Sequence, residues 1–458
     1  TKMIENIEHQ HGGGGYQAQN SWTIFRQMII PFFLSGLGCG LAGIVLNHVA
    51  EWPVFIDIPQ ISIMVPAFIG MIGNIETTLA SRLSTNANLG RMDTWKDIGQ
   101  VVGGNFLVIE CQSILMSLFA AFMSLLISTI RETTRDKITL ETTFILCAGS
   151  VISSILANTL IASIVTILVI IGRRININPD NISAPVAACM GDASTVAILA
   201  NINSLLYSQN PKNQLYISVT ILAITVLIMA PVFIYLARHN NSTRSVIYSG
   251  WIPLLAAILL CKPAGLIMEL SMEQWPVIST FFPLVDGVGA QAAGLQTSRI
   301  STFLHSTSQM TKTKQDSSST ELQQQQQERQ TTKKWFFSPL HVFFSKELHS
   351  KLVRMLTFIT PISHLIFLSI IFGVQHLLNE PSFHFTIAFI LTHLIAVFLQ
   401  IIILLYLSYL AVFWTWNHGI NPDNSVMPLA TTLSDSLGIC FITIGFHLLN
   451  LFNDINTK

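Results

Sequence analysis

"INPDNISAPVAACMGDASTVAIL" at residues 177–199 returns, altered but recognisable, as "INPDNSVMPLATTLSDSLGICFI" at residues 420–442. Each copy opens on Asn-Pro-Asp-Asn, carries a proline (Pro185, Pro428), and places a lone aspartate (Asp192, Asp435) 12 residues beyond the tetrapeptide aspartate (Asp180, Asp423). A polar block kept at fixed spacing inside apolar sequence marks an internal repeat, and a repeat decides the architecture. Locally, the tetrapeptide reads as the start of a helix, with Asp or Asn capping the first turn and proline ending what precedes it.

A second match comes before the first. "PAFIGMIGNIETTLASRLST" (residues 66–85) aligns with "PLVDGVGAQAAGLQTSRIST" (residues 283–302) at an offset of 217, sharing the proline, Gly70 with Gly287, and Ser-Arg-x-Ser-Thr. The tetrapeptides lie 243 apart, so the second copy holds 26 additional residues, supplied by "SQMTKTKQDSSSTELQQQQQERQTTKK". Its composition predicts a disordered loop within residues 305–346, on the cytosolic side.

Half of the 458 residues are hydrophobic, a tenth are charged and the mean hydropathy is +0.56, far more apolar surface than one soluble core needs. Zero net charge and a neutral pI argue against nucleic acid as a partner. The lipid bilayer is the expected partner. Windows of about 20 apolar residues predict eleven membrane-spanning helices, near 28–50, 57–80, 101–129, 143–171, 183–207, 215–237, 246–269, 278–303, 353–377, 384–413 and 425–451. The fold class is an all-α polytopic membrane protein.

Spans 1 to 5 then repeat as spans 7 to 11, with span 6 between them. A five-helix unit ends on the side opposite its start, so an odd linking helix brings the second copy in with the same orientation. The expectation is two parallel repeats about a pseudo-two-fold axis along the membrane normal. The expected division is a tail at 1–27, a first repeat at 28–214, a linking helix at 215–244, a second repeat at 245–451 and a tail at 452–458. Arg82, Arg91 and Lys96, then Arg173 and Arg174, then Arg238 and Arg244, then Lys333 to Arg354 fall in alternate loops. That places the N-terminus in the cytosol and the C-terminus outside. Asn181, Asn240 and Asn241 head Asn-x-Ser/Thr triplets that would be cytosolic and unused. The plasma membrane is the expected location, because no organelle signal is visible. The chain begins at Thr1 without a charged-then-apolar leader, which reads as a fragment or a processed chain.

The six cysteines (Cys39, Cys111, Cys147, Cys189, Cys261, Cys440) sit in apolar stretches and form no CxxC pair, so they read as small buried residues. "EHQH" (Glu8 to His11) reads as a mobile tail, and the small residues of "GLGCGLAG" (Gly36 to Gly43) as close helix packing. Arg82 and Arg299 read as cations snorkelling at the cytosolic helix ends.

Ionisable groups inside lipid cost a few kcal/mol on insertion scales and face a bundle interior or a water-filled path. The candidates are Glu76, Glu110, Asp192, Asp286 and Asp435, and no basic residue is read well inside a span to neutralise them. A dication is the economical countercharge. Spans 2 and 8 carry Pro66, Gly70 and Gly73, and Pro283, Gly287 and Gly289, which predicts kinks or an unwound turn exposing backbone carbonyls at depth. Asn74 and Gln291 occupy equivalent positions beside that weak point. Carboxamides, carbonyls and a few carboxylates suit Mg2+, which keeps several of its waters, whereas thiolates and imidazoles are read as absent from the paired positions. The candidate ion-binding set is Asn74, Asp192, Asp435, Gln291, Glu76 and Asp286.

Together "PAFIGMIGNIETTLASRLSTNANLG", "NPDNISAPVAACMGD", "SRISTFLH" and the second tetrapeptide-proline-aspartate block resemble solute carrier family 41, the animal relatives of the bacterial MgtE magnesium channels. The resemblance covers about residues 28–450 in four motifs of fixed order. It implies two fused MgtE-like repeats with a Mg2+ pore between them, lined by spans 2 and 5 and their equivalents 8 and 11. Carried over by motif, Asn74, Asp192 and Asp435 meet the ion. Gly289, Ala290 and Gln291 stand where the family usually reads Gly-Gly-Asn, and Asp286 and Glu110 replace neutral polar residues.

The function implied is Mg2+ transport, as a channel or coupled to Na+, with no resident cofactor and one chain sufficient. A carrier of Mn2+, Co2+ or Fe2+ is the near alternative. Enzymatic activity is not expected: there is no HExxH, and "CMGD" lacks the first glycine of a GxGD pair.

Overall fold

The computed structural model describes residues 21–88, 92–130, 132–174, 180–209, 211–240, 243–244, 247, 251–313, 336–345, 348–377, 386–420 and 422–451. Their regular structure is helical. Taken with their breaks, the long helices of the described residues are α1 Ser21–Ala50, α2 Gln60–Asn88, α3 Trp95–Ser128, α4 Leu140–Arg174 and α5 Asp180–Tyr207, followed by six more. The linking helix α6 comprises Pro211–Leu222, a π-helical stretch Ala223–Met229, and Ala230–His239. Helix α7 comprises Trp251–Leu260 and Lys262–Gln274, and α8 to α11 are Ile278–Thr313, Leu348–Leu377, Ile387–Asn417 and Pro422–Leu451.

Nine of these are long and apolar enough to cross a membrane among the described residues. The protein is an integral membrane protein. The other two, α5 and α8, carry Asp192 in one and Asp286, Gln291 and Gln296 in the other. Both α5 and α11 begin inside the Asn-Pro-Asp-Asn tetrapeptide, as expected of a helix start. Whether its side chains cap those helices lies outside the described residues, as do "EHQH", both expected tails apart from residues 21–27, and residues 314–335. The described flanks of the expected 305–346 loop are helical instead: α8 runs on to Thr313, and Pro339–Phe344 forms a short helix capped by Ser338. No proline or glycine interrupts "STSQMTKT" (306–313) to stop α8 earlier.

Helix starts follow from capping residues. Thr94 Oγ1 accepts from the Asp97 amide at 3.2 Å to open α3, and Thr386 Oγ1 accepts from the Phe389 amide at 3.1 Å to open α10. In α7 the break falls at Cys261 because Pro263 follows, removing the N–H that would bond four residues back. In α6 the π stretch runs directly into Pro231, another residue without an N–H.

Burial sorts the helices into layers. The most apolar window of α2 is 78% buried, whereas that of α6 is 17% buried, so α2 is an inner helix and α6 faces lipid. Polar side chains bind the inner helices together, each such bond worth about 0.6 to 2 kcal/mol. Asn158 Nδ2 of α4 donates to Ser113 Oγ of α3 at 2.6 Å, and Gln296 Nε2 of α8 donates to the Leu405 carbonyl of α10 at 3.0 Å.

The repeats are exchanged at their contact. Helix α1 packs on α5 of its own repeat and on α8 and α9 of the other, while α7 packs on α11 of its own repeat and on α2 and α3 of the other. Two glycines set that approach. A Cβ added to Gly43 of α1 would lie 1.9 Å from the Thr280 carbonyl oxygen of α8, and one added to Gly265 of α7 would lie 2.2 Å from the Ile63 carbonyl oxygen of α2. Thr280 and Ile63 are themselves 217 residues apart, the offset of the repeat. The same contact is therefore made twice, and only glycine permits it.

Candidate functional site

The paired aspartates meet at this exchanged interface. Asp192 of α5 accepts a hydrogen bond at Oδ2 from Cys39 Sγ of α1 at 3.4 Å, and Asp435 of α11 accepts at Oδ2 from Cys261 Sγ of α7 at 2.6 Å. A glycine of the opposite repeat closes over each carboxylate. A Cβ on Gly287 of α8 would lie 3.5 Å from Asp192 Oδ2, and one on Gly70 of α2 would lie 3.0 Å from Asp435 Oδ2.

Two more acids extend the pair. The Asp286 carboxyl on α8 is within hydrogen-bond reach of Asp435 and in electrostatic reach of Asp192, and Asp192 interacts with Asp435 in turn. Glu76 on α2 is coupled to Asp192, and Gly191 makes its room: an added Cβ there would lie 2.5 Å from Glu76 Oε2. Ser434 and Gln400 brace this wall. Ser434 Oγ donates to the Asp286 carbonyl at 2.8 Å, and Gln400 Nε2 donates to Ser434 Oγ at 3.1 Å and to the Val285 carbonyl at 3.2 Å.

Several buried polar atoms here have no hydrogen-bond partner among the described residues. They are both carboxylate oxygens of Glu76, Oδ1 of Asp286 and Nδ2 of Asn74, whereas Asn74 Oδ1 accepts from Thr431 Oγ1 of α11 at 3.0 Å. A buried carboxylate without a donor is costly, so a cation or the water around it is the natural complement. Among the described residues no three His, Cys, Asp or Glu side chains gather closely enough to grip a bare metal ion. An arrangement of scattered oxygens fits an ion that keeps its water shell.

The structure brings together four of the six candidates, Glu76, Asp192, Asp286 and Asp435, and ties Asn74 to Thr431 one turn before Asp435 on α11. Gln291 lies half-buried on α8, and its half of the site differs, because the counterpart of Thr431 in the first repeat is Ala188, which has no hydroxyl. Glu110 stands apart. Its Oε1 accepts from Thr159 Oγ1 of α4 at 2.8 Å, and it lines a cavity of about 450 Å3 between α3 and α6 together with Gly103, Gly104 and Phe233.

Three expectations change. Thiols are not absent from the paired positions: Cys39 and Cys261 occupy equivalent sites, each touching one aspartate. The signal was present in the chain, since Cys39-x-x-Ala42-Gly43 repeats as Cys261-x-x-Ala264-Gly265, but 222 residues apart rather than 217, which hid it from a fixed-offset alignment. A basic residue does lie inside a span: Lys262, 5% exposed, donates from Nζ to the Ala120 carbonyl of α3 at 3.1 Å. It is next to Cys261 and in electrostatic reach of that sulfur, so a buried basic side chain does stand on α7. The unwound turn is not formed. Helices α2 and α8 run through Pro66 and Pro283, and Thr77 Oγ1 and Thr78 Oγ1 donate to the Gly73 and Asn74 carbonyls at 2.8 and 2.6 Å, so those oxygens are already occupied. The five described cysteines are free thiols.

The family model described as "MgtE: Divalent cation transporter" matches this chain twice, at residues 65–202 and 282–444, once for each half. The match to both halves supports divalent cation transport of the MgtE type. The chain is 33% identical to mouse Solute carrier family 41 member 3 over 432 residues, 94% of this chain and 83% of that protein. It is 33% identical to human Solute carrier family 41 member 2 over 439 residues, 95% of this chain and 72% of that protein, and 32% identical to the chicken member 2 over 99% and 74%. The chain belongs to solute carrier family 41. No solved structure matches it.

Proposed function

We propose that this chain moves Mg2+ across the membrane along a path between its two repeats, with Asp192 and Asp435 holding the hydrated ion. The observation that carries this reading is the carboxylate string Glu76, Asp192, Asp286 and Asp435 at the exchanged interface, with unpartnered oxygens on Glu76 and Asp286. Asn74 hydrogen-bonds the ion's water through its free Nδ2 face and the lone pairs left on Oδ1, and Gln291 lines the path on the other side. Binding stays weak enough for release because the carboxylates are not gathered into a chelating cage.

Both halves of the site lie in one chain, so a monomer suffices. The repeats are taken as residues 28–214 and 245–451, joined by 215–244, with the N-terminus cytosolic, the C-terminus outside and the plasma membrane as location. No resident cofactor is invoked, and no enzymatic step. The ion passes either as through a channel or in exchange with Na+.

A second reading, transport of Mn2+, Co2+ or Fe2+, is favoured by one observation: thiols stand beside both aspartates, and sulfur suits softer ions better than Mg2+. Proteoliposomes loaded with a Mg2+-sensitive dye test both. Wild type should carry Mg2+ flux, and Asp192→Asn with Asp435→Asn should abolish it in a monodisperse, folded protein. Competition by Mn2+ at equal concentration would favour the second reading, and dependence on a Na+ gradient would select exchange over a channel. Undiminished flux in the double variant would overturn the site assignment.

A further inference from the structure

We propose that Cys39 and Cys261 are positioning residues of the ion path, each fixing one aspartate by donating its thiol hydrogen. This rests on the reading of Asp192 and Asp435 as the pair that meets the ion. Three independent observations support it. Both sulfurs contact the same carboxylate oxygen, Oδ2, of the paired aspartates, at 3.4 and 2.6 Å. Both sit in the same local motif, one turn before the glycine that presses on the other repeat, so the thiol is fixed relative to the exchanged interface. Each is also faced by the glycine that closes over its aspartate: a Cβ on Gly287 would lie 2.2 Å from Cys39 Sγ, and one on Gly70 would lie 3.8 Å from Cys261 Sγ.

The chemistry explains why a thiol serves. With 1% and 3% of their surfaces exposed, Cys39 and Cys261 are packed as small apolar side chains, yet each keeps one weak donor. Donation to Oδ2 of Asp192 leaves its Oδ1 for the ion's water, whereas the Asp435 carboxyl is held by its thiol and lies within hydrogen-bond reach of Asp286 as well. A hydroxyl would make the same bond more strongly, and a methyl group would make none.

The two thiols are not identical. Cys261 is the helix break of α7 and is followed by Lys262, whose charge lies in electrostatic reach of the sulfur; Cys39 lies within the unbroken α1.

The test is Mg2+ flux in proteoliposomes across a range of Mg2+ concentrations, for wild type, Cys39→Ala plus Cys261→Ala, and Cys39→Ser plus Cys261→Ser, with Asp192→Asn plus Asp435→Asn alongside. The alanine variant should raise the half-saturating Mg2+ concentration about 10-fold while changing the maximal rate much less, and the serine variant should return it to within about twofold of wild type. An alanine variant with unchanged half-saturation overturns the proposal. So does a shift that serine fails to rescue, which would mean packing alone. If wild type itself carries no divalent flux, or the aspartate variant transports normally, the underlying site assignment fails instead, and that outcome is distinguishable from failure of the thiol role.

Discussion

The two halves of the site are built by one plan and finished differently. In the first, Asp192 is half-buried, its thiol contact is 3.4 Å long, and its acidic neighbour Glu76 comes from α2 of the same repeat. In the second, Asp435 is 1% exposed, its thiol contact is 2.6 Å, and its neighbour Asp286 comes from α8. Lys262 stands behind the second half only, as the counterpart of Gly40. A duplicated scaffold thus conserves the backbone contacts, Gly43 on Thr280 and Gly265 on Ile63, while the charges around the aspartates diverge. Close backbone approach tolerates no side chain, whereas charge at an aqueous path can be redistributed provided the total still attracts a cation.

The strongest way to break this comparison is to neutralise each half alone. Asp192→Asn and Asp435→Asn should each lower Mg2+ flux by about 100-fold in dye-loaded proteoliposomes; if one of them is silent, the halves are not equivalent parts of one path. Next in size is the shared scaffold. Gly43→Ala and Gly265→Ala, whose added Cβ atoms would meet backbone oxygens at 1.9 and 2.2 Å, should each destabilise the fold by about 1–3 kcal/mol, read as a lower detergent melting temperature. Equal shifts would sharpen the pseudo-symmetry, and a shift in one alone would confine it to that side.

Smaller still is the tie between Asn74 and Thr431, which exists in one half only. Thr431→Val should remove about 0.6–2 kcal/mol of interhelical bonding and lower flux severalfold, while Ala188→Thr, at the equivalent place, should not raise it. Growth of flux in the second variant would show that Gln291 can take the part of Asn74. The smallest effect belongs to Glu110. Bonded to Thr159 and lining a cavity beside α6, it is outside the carboxylate string, so Glu110→Gln should leave half-saturation within about twofold of wild type. The same change at Glu76 should weaken flux clearly.

Much of this protein was legible in its sequence because helices and repeats are properties of neighbours along the chain. Apolar runs located the long helices, although α8 runs on to Thr313 and α2 to Asn88, past the expected 303 and 80, and the tetrapeptide marked where α5 and α11 begin. Scarcity of charge inside those runs singled out the acids, since an ionisable group in lipid is rarely without purpose. Four of the six candidate residues proved to be neighbours in space, and Asn74 touches the same helix as Asp435 through Thr431.

Only the tertiary structure decided which groups from distant helices touch. Glu76 and Glu110 look alike in sequence, yet one joins the aspartates and the other turns to α4, because helix rotation sets which side of each helix faces inward. Cys39 lies 153 residues from Asp192, and Cys261 lies 174 residues from Asp435. Their pairing depends on how α1 packs on α5 and α7 on α11 within each repeat. Lys262 escaped notice for the same reason: it reads as one charge on an apolar helix until the Ala120 carbonyl on α3 is seen to receive it. The unwound turn was inferred from Pro66 and Gly73, but Thr77 and Thr78 satisfy the carbonyls near it, and packing keeps the helix whole. Composition along the chain fixes what must be buried in lipid, and the packing of one helix against another fixes which buried groups meet.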